Sequence, residues 1–268
     1  FAKTRVQAEN DGWFQDGEPA PNPRTTVTSE RARSVISRND SPDLPFDRSL
    51  NPYRGCEHGC IYCYARPTHE YWGYSAGIDF ERIVLVKKNA PELLRATLSK
   101  KKWDIHTIGL SGNTDCYQPI ERKYGITRKL LEVCLEFRQP VSIITKNALI
   151  VRDIDLLQEL ANLNLTAVSI SLTTLKEELR RVLEPRTATS KRKLQVIEQL
   201  SQAGIPVNVM LAPVIPALND DEIFSIAKQV SEHGARTMHY QIVRLNGPNE
   251  AIFTDWVHQN FPDRADKV

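Results

Sequence analysis

From Ile83 to Val243 the sequence alternates short β-branched runs with longer amphipathic stretches, and few folds satisfy that rhythm. The runs are residues 83–86, 105–110, 141–145, 167–172, 207–211 and 238–243. Between them, apolar residues recur at helical spacing. Thr127 opens a stretch that would bury Leu130, Leu131, Cys134 and Leu135, and Asp153 opens one with Ile154, Leu157, Leu160 and Ala161. Ser190 precedes Leu194, Ile197 and Leu200, ended by Gly204; Asp220 precedes Ile223, Ile226 and Val230, ended by Gly234. Ser, Thr and Asp accept from the unpaired N–H groups of a first helical turn, and Gly takes the left-handed turn that closes the last. Strand and helix alternating in this way build βαβ units, hence a parallel sheet. Five such units are expected, together with a first strand near residues 49–53; the run at 83–86 reads as an insertion outside the main sheet. Six strands fall short of a closed eight-stranded barrel. The predicted fold class is therefore α/β, a partial (β/α)6 TIM-like barrel of parallel strands with an irregular N-terminal arm. Its functional groups belong at the C-terminal strand ends, where the βα loops gather.

Residues 1–48 break the rhythm. Pro19, Pro21, Pro23, Pro42 and Pro45 punctuate a polar stretch that cannot bury enough apolar surface to fold alone. The expectation is an irregular, partly disordered arm over 1–48 packed on a domain of 49–268, with one helical turn near Glu30 to Ile36. The chain opens on Phe1, so the native N-terminus is expected upstream. Its 268 residues suit one large domain. Lys plus Arg total 35 against 33 Asp plus Glu, a balance that argues neither for nor against a nucleic-acid partner. No apolar run approaches a membrane span, and the first ten residues do not resemble a signal peptide. The five cysteines are an odd number, too few for a secreted disulfide framework. Reduced thiols and a cytoplasmic location are expected.

Three of those cysteines crowd into "NPYRGCEHGCIYCYAR", residues 51–66, with the spacing Cys56-x3-Cys60-x2-Cys63. Thiolates are soft ligands for zinc or iron–sulfur clusters. Three ligands saturate neither. Zinc would recruit a fourth, with His58 and His69 the local candidates; a four-iron cubane would keep one iron open. Ordinary burial of small side chains is the remaining reading, and crowding in a glycine-bearing polar loop counts against it.

The motif, with Tyr62 before its last cysteine, resembles the radical S-adenosylmethionine (SAM) superfamily. The stretches "ARPTHEYWGYSAGIDFE", "SGNTDCYQPIER", "ITKNALIVRD", "LEPRT" and "AGIPVNVMLAPVIPALNDDE" resemble its subgroup of spore photoproduct lyase and relatives labelled DNA repair photolyases, over nearly everything from Asp40 onward. The resemblance implies a [4Fe–4S] cluster on Cys56, Cys60 and Cys63, with SAM chelating the open iron. It implies reductive cleavage of SAM to a 5′-deoxyadenosyl radical that abstracts hydrogen from a substrate, in lyase-like or other chemistry. It also implies an external one-electron donor of flavodoxin or ferredoxin type. Asn113, Thr114 and above all Asp115 match the positions that bind the methionine ammonium. Lys146 matches the methionine carboxylate, Ser171 the ribose or carboxylate, and Arg186 a carboxylate. The backbone of Tyr62 and the ridge "MLAPVIP" would carry the adenine. The bland alternatives are an Asx turn for Asp115, a solvated strand end for Lys146, a half-polar strand for Ser171, a surface salt bridge for Arg186 and core packing for the ridge.

Cys134 reads as a core thiol. Cys116 is the candidate hydrogen donor. In the lyase the donor cysteine follows the serine of the matching turn, where this chain has Gly112, so spore photoproduct is not assigned as the substrate. Two remaining cysteines cannot complete a second cluster. Lys87, Lys88, Lys100, Lys101, Lys102, Arg31, Arg33 and Arg38 make basic spots, and Trp72, Trp103, Tyr71 and Tyr74 are candidate stacking groups for a nucleic-acid substrate; solvated faces are the plain alternative. "THEYWGYS" is expected to roof the active site or wall its edge. The competing class is a non-catalytic Cys3His zinc protein with a nucleic-acid or structural role.

Overall fold

The computed structural model describes residues 25–40 and 46–268; the rest of the arm lies outside the described residues. The strands are β1 (Thr26–Glu30), β2 (Ile36–Arg38), β3 (Arg48–Leu50), β4 (Tyr53–Arg54), β5 (Ile83–Lys87), β6 (Ile108–Leu110), β7 (Val141–Thr145), β8 (Thr166–Ser171), β9 (Val207–Val214) and β10 (Thr237–Ile242). Among the described residues they form a seven-stranded sheet, β10-β9-β8-β7-β6-β3-β2, and a three-stranded sheet, β1-β5-β4. From β3 to β10 every pairing in the large sheet is parallel. β2 alone runs antiparallel, against β3. These are the six parallel strands of an open, partial barrel, and β5 belongs to the smaller sheet, as an insertion.

Register sorts the residues into two faces. Val168, Ile170, Val207, Val209 and Leu211 are buried in one core with Leu130, Leu131, Leu157, Leu160, Ile197 and Leu200 from the crossover helices. The opposite face carries Ser142, Ala167, Ser169, Asn208 and Met210, all half-buried. At Gly109 on that face the ring of Phe46 fills the place of a side chain, 2.7 Å from where a Cβ would stand. The barrel interior is thus small and polar, its exterior aliphatic.

Within the described part of the arm, β1 and β2 dock on the two sheets. No helical turn forms over 30–36, because residues 26–30 give their backbone to β5 in parallel register from Thr26↔Ile83 to Glu30↔Lys87. The helices lie where periodicity places them, with different caps. Helix Ile126–Glu136 is capped by the distant Glu121, whose Oε2 accepts from the N–H groups of Ile126 and Thr127, both at 3.0 Å. The Thr127 hydroxyl donates instead to the Cys116 carbonyl at 2.6 Å. Asp153 does not cap its helix; it is fully buried and accepts from Tyr117, Arg128 and Arg152. Thr189 caps the helix Ser190–Gln202, one position before the expected Ser190. Helix Pro248–Asn260, which no motif announced, buries Phe253, Trp256 and Val257 with Leu179, Leu183, Ile215 and Leu218, and Ile61 and Tyr62 pack on that cluster. It thereby presses on the cysteine loop. No helix among the described residues is long and apolar enough to cross a membrane.

Candidate functional site

The cysteine loop leaves β4 and returns through β5, and those two strands pair with each other, Tyr53↔Val86 and Arg54↔Leu85. Its backbone is held by side chains from outside. Gln118, fully buried, accepts from Glu57 N–H at 2.9 Å and donates to the Gly55 carbonyl at 3.0 Å. Buried Arg66 donates to the carbonyls of Cys60 (3.0 Å), Gly59 (3.3 Å), Ala76 (3.3 Å) and Gly77 (2.9 Å) and to Glu81 (2.6 Å). Arg186 closes the bracket, donating to the Glu57 carbonyl and to the other oxygen of Glu81. Arg186 is therefore neither a surface salt bridge nor a free carboxylate fork: its guanidinium is committed to the loop and to Glu81.

All five cysteines are free. Cys56 and Cys60 are buried and Cys63 half-buried, and the three thiols lie within electrostatic reach of one another. Burial pushes all three up, Cys60 to about 12 with Glu184 adding to the rise. Thiols in this state keep their protons until a metal takes the thiolates. Three soft donors with no fourth fit a cubane bound at three corners. Among the described residues no group of three or more His, Cys, Asp or Glu is arranged as a ready single-ion site. The histidines proposed as zinc ligands are placed otherwise. His58 is wedged between Asp115 (Nδ1 to Oδ2, 3.4 Å) and Asn147 (Nε2 to Nδ2, 3.0 Å), and burial pushes it down to about 4. His69 packs against Tyr74 and Phe80.

Beside the thiols, the ends of β7 and β8 supply cations and hydroxyls. Ile144 is level with Ser169, so Lys146 falls level with Ser171, to whose hydroxyl its ammonium donates. Lys146 also stands 5.5 Å over the Tyr62 ring and 3.5 Å from Glu184 Oε1. Glu184 is fully buried. It accepts from the Tyr62 hydroxyl, from Thr173 at 2.5 Å, from Thr187 at 3.2 Å and from Lys193 at 2.9 Å. Burial alone would raise this carboxyl; Lys193 and Lys146 hold it well below the usual range. Sequence reading missed Glu184, Lys193, Arg66 and Glu81 as site residues. "LEPRT" contains Glu184, but a surface glutamate and a buried one look alike in a string.

The turn after β6 is hung from Asn51, whose Oδ1 accepts from Gly112 and Asn113 N–H at 2.8 and 2.9 Å. Asn113 is exposed. Thr114 is buried, and its hydroxyl has no hydrogen-bond partner among the described residues. Asp115 makes the Asx turn: Oδ1 accepts from Tyr117 N–H and the Thr145 hydroxyl, both at 2.8 Å, and Oδ2 from Lys146 N–H at 2.8 Å. Those bonds tie β6 to β7 and occupy most of its lone pairs. Cys116 requires a correction. It is fully buried in the main core, its thiol hydrogen-bonded to Ser111 near Tyr53 and Tyr117. A hydrogen donor must meet its substrate, and this thiol is enclosed by core side chains. Ile215 on the apolar ridge packs with Tyr62 and Ile61, so the ridge does adjoin the loop.

A family model of the radical SAM superfamily matches residues 50–230. An uncharacterized protein of Mycobacterium tuberculosis is 36% identical over 222 residues, 82% of this chain and 65% of that protein. The chain thus spans about two thirds of the length of its mycobacterial relatives. An uncharacterized protein of Methanocaldococcus jannaschii is 27% identical over 90% of this chain and 86% of its own. Among solved structures, a spore photoproduct lyase mutant with bound AdoMet and dinucleoside spore photoproduct superposes with a TM-score of 0.66 at 15% identity, covering 90% of this chain and 68% of that one. The fold is shared with that enzyme. The chain belongs to the radical SAM superfamily, whose members use a [4Fe–4S] cluster and SAM.

Proposed function

We propose that residues 49–268 form the catalytic domain of a cytoplasmic enzyme that cleaves SAM reductively and abstracts hydrogen from an organic substrate, taking its electrons from a flavodoxin- or ferredoxin-type donor. The observation that carries this reading is three neighbouring thiols, two buried and one half-buried, beside a reachable lysine ammonium at the C-terminal rim of a parallel barrel. Cys56, Cys60 and Cys63 would hold the cluster, and Arg66, Arg186 and Gln118 fix the loop that presents them. The bound cluster and SAM would supply a 5′-deoxyadenosyl radical. Lys146 and Ser171 would bind the methionine carboxylate. The Thr114 hydroxyl and exposed Asn113 would meet the ammonium end, with Asp115 positioning both through its Asx turn. Tyr62 and the ridge around Ile215 would wall the adenine. Helix 248–260 packs on the loop through Ile61 and Tyr62, and its Asn249 donates to the Cys63 carbonyl at 2.9 Å.

The interior face offers Ser142, Ser169 and Asn208 to a hydrogen-bonding substrate. Tyr71 and Trp72 are exposed on the segment after the loop, Tyr64 is exposed with its hydroxyl on the Gly112 carbonyl, and Arg54 stacks 4.2 Å from the Trp72 ring. These groups favour a nucleic acid as the substrate, approached from that side. Trp103 takes no part: it is half-buried under Arg48 and bonded to Gln139. The test is direct. Anaerobically purified, dithionite-reduced protein should release 5′-deoxyadenosine from SAM, and a Cys60→Ala variant should not. Stoichiometric zinc without iron in the anaerobic protein would overturn the reading.

A further inference from the structure

Two lysines and one glutamate share a buried pocket behind the cysteine loop, and they are not equivalent. Glu184 is fully buried and Lys193 has 2% of its side chain exposed, whereas Lys146 has 18%. A carboxylate offers about four lone-pair sites. On Glu184, Oε1 accepts from Tyr62 and Thr173, and Oε2 from Lys193 and from the Thr187 hydroxyl, which at 3.2 Å shares its proton with the Glu184 carbonyl at 3.0 Å. Oε1 already takes two hydroxyl protons, and Lys146 Nζ stays 3.5 Å from it, an ion pair without a hydrogen bond. Its one hydrogen bond from Nζ goes to Ser171, so of three ammonium protons two remain for a ligand. Glu184 is thus flanked by two cations, and the one from which it accepts no hydrogen bond is the lysine that a ligand can reach.

We infer that Lys193 is a positioning residue, the resident counter-cation of Glu184, and that its presence keeps Lys146 free to take the carboxylate of an amino-acid-bearing ligand. The inference rests on the SAM reading above and adds a residue that never touches the ligand. Without Lys193, Glu184 keeps its buried charge and loses an ion pair at 2.9 Å. Lys146, already close, is then the only cation able to replace it. A buried carboxylate stripped of its partner is costly enough to pull Lys146 off Ser171 and away from the ligand.

The experiment measures SAM binding to anaerobically reconstituted protein by equilibrium dialysis, with the SAM-induced change in the reduced cluster's EPR spectrum as a second readout. Lys193→Met should raise the Kd for SAM at least tenfold and weaken the EPR change at a fixed SAM concentration. The double variant Lys193→Met/Glu184→Gln, which removes anion and counter-cation together, should return to within threefold of the wild type. A lysine that merely fills space would give no such rescue. Glu184→Gln alone should bind at least as tightly as the wild type; that variant decides the matter if Lys193→Met does not fold. Unchanged binding in Lys193→Met, or a double variant as weak as the single, would overturn the inference. Wild-type protein that fails to bind SAM would instead refute the functional reading beneath it.

Discussion

Gly59 and Gly73 both sit in the left-handed region, at φ of +69° and +78°, yet replacing them with alanine should have different consequences. A Cβ on Gly73 meets nothing within 4 Å among the described residues. Gly73→Ala therefore costs only the backbone penalty, about 1–2 kcal/mol. A Cβ on Gly59 would stand 2.1 Å from Arg186 Nη2 and 2.7 Å from Glu81 Oε2. Those are side-chain ends, and the clash is cheap in itself. The expense is what Arg186 must release to move: its bonds to the Glu57 carbonyl and to Glu81, in a bracket where both side chains are nearly buried. Hydrogen bonds to charged groups contribute about 1.5–3 kcal/mol each. Gly59→Ala should then fall about 3 kcal/mol or more below Gly73→Ala, roughly 6–12 °C in Tm for a domain of this size. Because Arg186 and Arg66 both hold the cysteine loop, iron bound per chain after anaerobic reconstitution should drop in Gly59→Ala and hold in Gly73→Ala. Calorimetry and iron analysis of the two proteins side by side test the argument. Equal losses in both would show that the arginine bracket contributes nothing to the loop.

Two further outcomes can be measured by urea unfolding. Glu121→Ala removes the cap of helix 126–136 and takes a partner from Tyr53 and from Arg152, which keeps Asp153, so it should cost about 2–4 kcal/mol; Thr127→Val, which loses one hydroxyl bond to the Cys116 carbonyl, should cost less than about 1.5 kcal/mol, and the reverse order would reject the cap. Lys87 is pushed down to about 8 by burial and then by Arg54. Below that pH it is charged in both states and the native protein bears the desolvation. Between about 8 and its ordinary 10.5 the native state has released the proton while the unfolded chain keeps it, so stability rises with pH. Wild-type stability measured against Lys87→Met should climb by on the order of 3 kcal/mol across that window; a constant difference would contradict the assignment.

What the sequence disclosed followed from how far apart the cooperating residues lie. Strand β7 falls on residues 141–145 as read, because "VSIIT" is a local β-branched run between a proline and a lysine. The thiol spacing was equally local. The cap of helix 126–136 was misplaced because Glu121 reaches forward five residues while the adjacent Thr127 has a better claim by propensity. Thr189 and Ser190 are neighbouring hydroxyls, and pattern alone cannot rank them. Glu184 was invisible for a different reason: its partners are Tyr62, Thr173, Thr187 and Lys193, brought together only by the barrel. Arg66, Glu81 and Arg186 form their bracket across 120 positions of chain, with nothing periodic to mark it. Asp115 and Cys116 show the converse. A loop near the cofactor suggested chemistry for both, and the fold spends one on an Asx turn and the other in the core.

The cysteine loop begins on β4 and ends on β5, and those strands are hydrogen-bonded to each other. Both feet of the excursion therefore stand in the small sheet, and no strand of the seven-stranded sheet lies within it. A change inside the loop can alter what the thiols hold while every strand pairing of the barrel stays as it is.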